Sequence, residues 1–168
     1  AMDQMATGVK VWWITLCALA AFNVCVWAYS AYAFLRRKES SPGFYATRWP
    51  HVLLSAGYVL GCAFRSVLPR ADVQRICLFD TWLSSVVIGR SVATVAEVSF
   101  AAQWAMVLSL LGGLADVDTA QAAAWVIVPL IVVAQCCSWY GVLTTNYLAN
   151  AIENSIWAVA FLIVGISL

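Results

Sequence analysis

Charge is what this sequence has least of. Lysine, arginine, aspartate and glutamate make up 10% of its 168 residues, against about a quarter in ordinary soluble domains. A water-soluble fold of this length needs charged side chains over every helix exterior, and nine basic plus eight acidic residues, mostly gathered in short clusters, cannot provide them. With a formal net charge of +1 and no basic stripe, the chain also lacks the electrostatic footprint of a nucleic-acid partner. Histidine is nearly missing. The one present, His51, follows Trp49-Pro50, so a multi-histidine haem, di-iron or zinc centre cannot be assembled by this chain alone. The six cysteines (Cys17, Cys25, Cys62, Cys77, Cys136 and Cys137) lack the spacing of zinc ligands or of a disulfide framework, and read as buried free thiols. Cys136-Cys137 is vicinal, without the C-x-x-C spacing or a basic neighbour to activate it. No G-x-S-x-G elbow, phosphate-binding loop or dinucleotide fingerprint occurs. No metal site is expected, and nothing in the sequence specifies a cofactor.

What is present is apolar length. Hydrophobic residues make up 64% of the chain, and a membrane-spanning helix needs about 20 of them in succession. The first run, Val11 to Leu35, has Trp12-Trp13 at one end, Tyr29, Tyr32 and Phe34 at the other, and then Arg36-Arg37-Lys38; aromatic belts followed by a basic stop mark a span. It exceeds the length of a signal-peptide core, about 7 to 15 residues, so a retained helix is expected. Breaks at Pro42-Gly43, Pro69 and Gly112-Gly113 divide the rest. The expectation is an all-α, polytopic transmembrane bundle of four or five membrane helices, near residues 11 to 35, 51 to 68, 73 to 112, 120 to 145 and 151 to 168.

Several details accompany that layout. Glu39 to Pro50 is expected as a loop, Asp72 as a helix cap, Asp118 and Gln121 as a capping-box-like start, and Pro129 as a kink. The third interval is too long for one crossing at 1.5 Å per residue, so it must tilt, project or break near Gly89. Gly57 and Gly61 form a G-x-x-x-G pair expected to face another helix. Residues 1 to 168 are taken as a single integral membrane domain. Leu168 ends inside an apolar run, so the natural chain is expected to continue beyond it. Strict alternation of five spans divides lysine and arginine almost evenly between the two sides, which leaves orientation open.

The informative residues are the polar ones at membrane depth, where an ionisable group costs about 2.5 to 3.5 kcal/mol to insert. Arg90, Thr94, Glu97 and Ala101 follow spacings of four, three and four, so one helical face carries a cation, a hydroxyl and a carboxylate. Arg90 and Glu97 are two turns apart, about 10.5 Å, too far for direct contact on one straight helix. Gln135, Trp139, Val142, Asn146, Asn150, Glu153 and Trp157 form a second stripe. That stripe is too long for a single crossing and is expected to fold back or unwind between Thr144 and Asn150. The candidate site is Arg90, Glu97, Gln135, Asn146, Asn150 and Glu153 lining a polar cavity; the alternative is that the same residues pair to fix helix register.

Three function classes follow: movement of a proton, ion or small polar solute; modification of a lipid by a membrane-embedded enzyme; or a non-catalytic subunit or sensor. Glu97, with apolar sequence on both sides, is the expected central group. The lipid bilayer is the expected surrounding partner, with a second copy of the chain or another membrane protein as candidate protein partners. The expected location is a membrane, with several passes.

Overall fold

The computed structural model describes residues 6–37 and 42–168. The fold is all-α: among the described residues 86% are helical, in five helices. They are α1 (Thr7–Arg36), α2 (Pro42–Val67), α3 (Val86–Ala115), α4 (Asp118–Thr144) and α5 (Tyr147–Ser167). Between α2 and α3 lie two-residue strands, β1 (Arg70–Ala71) and β2 (Ile76–Cys77), and a short 3-10 turn at Trp82–Ser84. Helices α1, α3, α4 and α5 are each long and apolar enough to cross a membrane. The chain is built as a multi-pass integral membrane protein. Among the described residues α2, at 26 residues, has the length but not the apolarity, since it carries Arg48, His51 and Arg65.

Two compact units divide the chain, and α3 contributes to both. In the first, Ala1–Arg70 with Ile76–Ala96, α1 and α2 pair antiparallel. Trp13 Nε1 donates to the Val67 carbonyl at 3.0 Å near one end, and Trp27 Nε1 donates to Ser55 Oγ at 3.0 Å near the middle. At the other end the rings of Phe34, Tyr45 and Trp49 stack, with centroids 4.9 Å apart for Phe34 and Tyr45 and 5.7 Å for Tyr45 and Trp49. This stack explains a departure from the sequence reading. The expected loop through Pro50 is helical from Pro42 onward, with Pro50 inside α2. A proline at the helix start forfeits no intrahelical donor, and the one bond lost at Pro50 is offset by aromatic contact with α1. Ser40 and Ser41 of the expected turn lie outside the described residues.

Gly61 packs on the first part of α3. A Cβ there would lie 2.6 Å from Ala96 Cβ and 3.3 Å from the Val92 carbonyl, so the close-packing role expected of the glycine pair holds at Gly61. The third helix is not the continuous element from 73 to 112. It starts at Val86, because residues 70 to 84 form the hairpin and the 3-10 turn. Asp72 caps no helix; its carbonyl accepts from the Arg75 amide at 3.4 Å, and Arg75 takes φ 54 to close the turn. Gly89 breaks nothing. It lies under the stem of Arg70, whose Cδ would be 2.7 Å from a Cβ at that position, and Arg70 Nη1 donates to the Ser84 carbonyl.

The second unit is Ala71–Arg75 with Glu97–Leu168. Here α3 runs through Gly112-Gly113 and stops at Ala115, where Asp116 adopts φ 54 and the Val117 amide returns to the Gly112 carbonyl at 3.0 Å. α4 ends the same way, with Thr145 at φ 55 and the Asn146 amide bonded to the Gly141 carbonyl at 2.9 Å. Both are Schellman closures, with the glycine three positions inside the helix rather than at the left-handed residue. Of the pair read as a break, Gly112 is a packing position, since a Cβ there would meet Gln121 Cγ at 2.9 Å, whereas one on Gly113 would meet nothing within 4 Å; Gly141 is also closely packed, its Cβ 3.4 Å from Ala149 Cβ. No capping box opens α4, since Val117 is the N-cap and receives no side-chain bond. Gln121 is spent on Gly112 instead. Pro129 lies inside α4 without ending it. The fold-back expected between Thr144 and Asn150 contracts to Thr145 and Asn146, because Asn146 caps α5 by accepting from the Leu148 and Ala149 amides at 2.9 and 3.2 Å.

Two stability predictions arise from these closures. A β-branched residue in the left-handed region is strained by about 1 kcal/mol or more, and Thr145 is exposed, its hydroxyl bonded only to the adjacent Thr144 carbonyl at 2.6 Å. Thr145→Gly should raise the unfolding midpoint in detergent; a lowered midpoint would contradict the strain. Arg75 Nη2 donates to the Val142 and Leu143 carbonyls at 3.3 and 3.2 Å, placing a cation at the C-terminus of α4, where it opposes the helix dipole. Arg75→Ala should cost about 0.5 to 1 kcal/mol, read as faster amide hydrogen exchange over the last turn of α4. Arg75→Lys should recover part of it.

Candidate functional site

Two tight antiparallel turns set the register of the second unit. Glu97 lies 19 residues before Asp116, and Gln135 lies 18 after Val117; Gln135 lies 10 before Thr145, and Trp157 lies 11 after Asn146. With equal rise along each helix, those three residues come level. Gln135 Nε2 donates to Glu97 Oε2 at 2.7 Å, and Trp157 Nε1 donates to the same oxygen at 3.2 Å. One carboxylate oxygen thus ties together α3, α4 and α5. An ionised carboxylate only accepts, so the Gln135 amide must present its nitrogen to Glu97, as it does.

The surroundings of this node differ along the helix axes. On one side lie rings: Trp157 is 6.4 Å from Phe100 and 5.6 Å from Phe161, and Phe100 is 6.3 Å from Trp104. Beyond them the interior is wholly apolar, packed from Ala101, Leu108, Ala123, Ile127, Ile131, Ala160 and Val164. Toward the turn between α4 and α5 buried polar side chains are interspersed with Ala134, Val142 and Ala149. Gln135 is 4% exposed, Ser138 2% and Glu153 7%. The polar layer and the apolar layer divide the unit in two.

Of the six candidate residues, Glu97 and Gln135 are brought into direct contact. Glu153 is buried one turn from Trp157 on α5. Asn150 lies a further turn toward the hairpin, where its carbonyl accepts from Asn154 Nδ2 at 3.0 Å. Asn146 is at the turn itself and spends its side-chain oxygen on the α5 cap. Arg90 is buried, at 4% exposure, on the part of α3 that belongs to the first unit. Two participants were absent from the candidate set. Trp157 was visible as the last member of the α4–α5 stripe. Ser138 was signalled only by standing one turn beyond Gln135.

Among the described residues, no group of three or more histidine, cysteine, aspartate or glutamate side chains is placed to hold a metal ion. Compared with protein families, with curated proteins and with solved structures, the chain finds no match.

Proposed function

We propose that the second unit carries protons across the membrane, with Glu97 as the group that takes up and releases them. The observation that carries this reading is the convergence of Gln135 and Trp157 on one oxygen of Glu97. Neither an amide nor an indole serves as an acid or base in water, so of these three side chains the carboxyl group is the one able to carry a proton. The two donors hold Glu97 in place whether or not it is charged, because a protonated carboxyl keeps acceptor capacity on its carbonyl oxygen. Position without loss of exchange is what a carrier group needs. Within the same unit Glu153, 7% exposed, is a second buried carboxyl-bearing residue.

The test is a flux measurement. Protein reconstituted in liposomes containing a pH-sensitive dye, with the membrane potential clamped, should dissipate a pH step faster than empty liposomes. Replacing sodium and potassium with a large organic cation should leave the rate unchanged if the carried species is the proton. A rate equal to that of protein-free vesicles would overturn the reading, and a rate that depends on the alkali cation would transfer the site to cation transport.

A further inference from the structure

The segment joining α2 to α3 carries large apolar side chains outward. Trp82 is 80% exposed and Leu83 44%, both in the 3-10 turn Trp82–Ser84. The turn is held by its own backbone and by a neighbour: the Ser84 and Ser85 amides donate to the Thr81 and Trp82 carbonyls at 2.9 and 3.1 Å, and Arg70 Nη1 donates to the Ser84 carbonyl. Trp82 also has a donor to spare. Trp13 and Trp27 spend their indole N–H groups on the Val67 carbonyl and on Ser55 Oγ, whereas Trp82 has no hydrogen-bond partner among the described residues.

The depth of the turn follows from contacts within the first unit. Trp12 and Trp13 form the aromatic belt at one end of α1. Trp13 bonds to Val67, the last residue of α2, and packs edge-on to Phe79 with ring centroids 5.1 Å apart. The Leu78 amide returns to the Pro69 carbonyl at 3.1 Å. Leu78 and Phe79 therefore lie level with the belt. On the other side of the turn, Gly61 packs on Val92 and Ala96, so the end of α2 at Val67 and the start of α3 at Val86 come level to within about a turn. Trp82 follows Phe79 by three residues, which span at most about 11 Å, and the chain is back at the same level by Val86. Asp80 and Thr81 are exposed as well. The segment thus changes from polar to apolar between Thr81 and Trp82, as a boundary between headgroups and acyl chains requires.

We propose that the Trp82–Leu83 turn is a lipid anchor: both side chains insert among the upper acyl chains of the surrounding phospholipid, and the Trp82 indole N–H donates to an ester carbonyl at that depth. An aromatic ring with an apolar body and one polar edge fits this layer better than it fits water or the hydrocarbon centre. The occupant is lipid because the patch continues the belt of α1, where Trp12 is itself 51% exposed. Since α3 begins two residues after Ser84, the anchor sets the depth at which α3 enters the bilayer.

The test compares the unaltered protein with Trp82→Phe, each reconstituted in phosphatidylcholine vesicles, and reads the difference in tryptophan emission, which isolates Trp82 from the other tryptophans. Bromine on the upper part of the acyl chains should remove most of the difference emission, bromine near the chain ends less, and acrylamide in the water little. Quenching by acrylamide and not by brominated lipid places the ring in water and overturns the anchor. Quenching by neither places it against protein, and stronger quenching from the chain ends places it too deep; either result overturns the anchor as well. Leu83→Trp in the otherwise unaltered chain gives a second reporter that does not depend on Trp82→Phe folding. Its added emission should follow the same order of quenching, and the acrylamide order there would count equally against lipid contact.

Discussion

Glu97→Gln should reduce the proton flux of reconstituted protein to the level of empty liposomes while leaving a folded protein. Glutamine keeps a side-chain oxygen at the same reach, so Gln135 and Trp157 retain an acceptor where they now meet Glu97 Oε2 at 2.7 and 3.2 Å. What is lost is the difference between charged and neutral acceptors, about 1 to 2 kcal/mol at most, together with all capacity to exchange a proton. Stability and transport should therefore separate. Wild-type flux at wild-type stability would make Glu97 a register-fixing residue, the alternative that its neighbours also allow. The supporting shell predicts an ordering: Trp157→Phe removes one donor and keeps the ring among Phe100 and Phe161, so it should perturb flux less than Gln135→Leu.

Gly61→Leu should be the most damaging single change in the first unit. Even a methyl group at this position would stand 2.6 Å from Ala96 Cβ and 3.3 Å from the Val92 carbonyl. The second neighbour is backbone and cannot rotate away, so relief requires α2 to separate from α3. Overpacking of this kind costs about 1 to 3 kcal/mol, and leucine adds three further carbons beyond the first. The control is Gly113→Leu, since nothing lies within 4 Å of a Cβ there. The expected result is loss of monodisperse yield and a lowered unfolding midpoint for Gly61→Leu alone. Equal behaviour of the two variants would show that Gly61 is not a close-approach position.

The contrast between these sites shows what the sequence could and could not reveal. Helix α1 was legible almost to its ends, because aromatic belts and Arg36-Arg37 report the membrane boundary directly. The start of α2 was not, because the stack of Tyr45 and Trp49 on Phe34 is a tertiary contact that overrides the local turn signal of Pro42-Gly43 and Pro50. The break read at Gly112-Gly113 falls three or four residues early, since the chain reverses at Asp116, a non-glycine residue in the left-handed region. Asn146 illustrates the same limit. Its place in a polar stripe was evident, but its role as a helix cap emerges only once α5 is known to begin at Tyr147. Glu97 with Gln135 was legible as a pairing of two polar faces, whereas Ser138 was signalled only by its place one turn beyond Gln135.

The apolar layer from Leu108 to Val164 also fixes where a transmembrane voltage would be felt. Electric potential falls mainly across regions of low polarisability, so a core of alanine, isoleucine, leucine and valine takes the larger share of the drop, and the polar layer around Glu97 and Glu153 takes less. A charge that reaches Glu97 from the side of the α4–α5 turn would cross little of the field. One that passes beyond Phe100 and Trp157 crosses most of it, at about 2.3 kcal/mol per elementary charge for each 100 mV. Current through such a protein would rectify, with its steep step on the side of the α3–α4 turn.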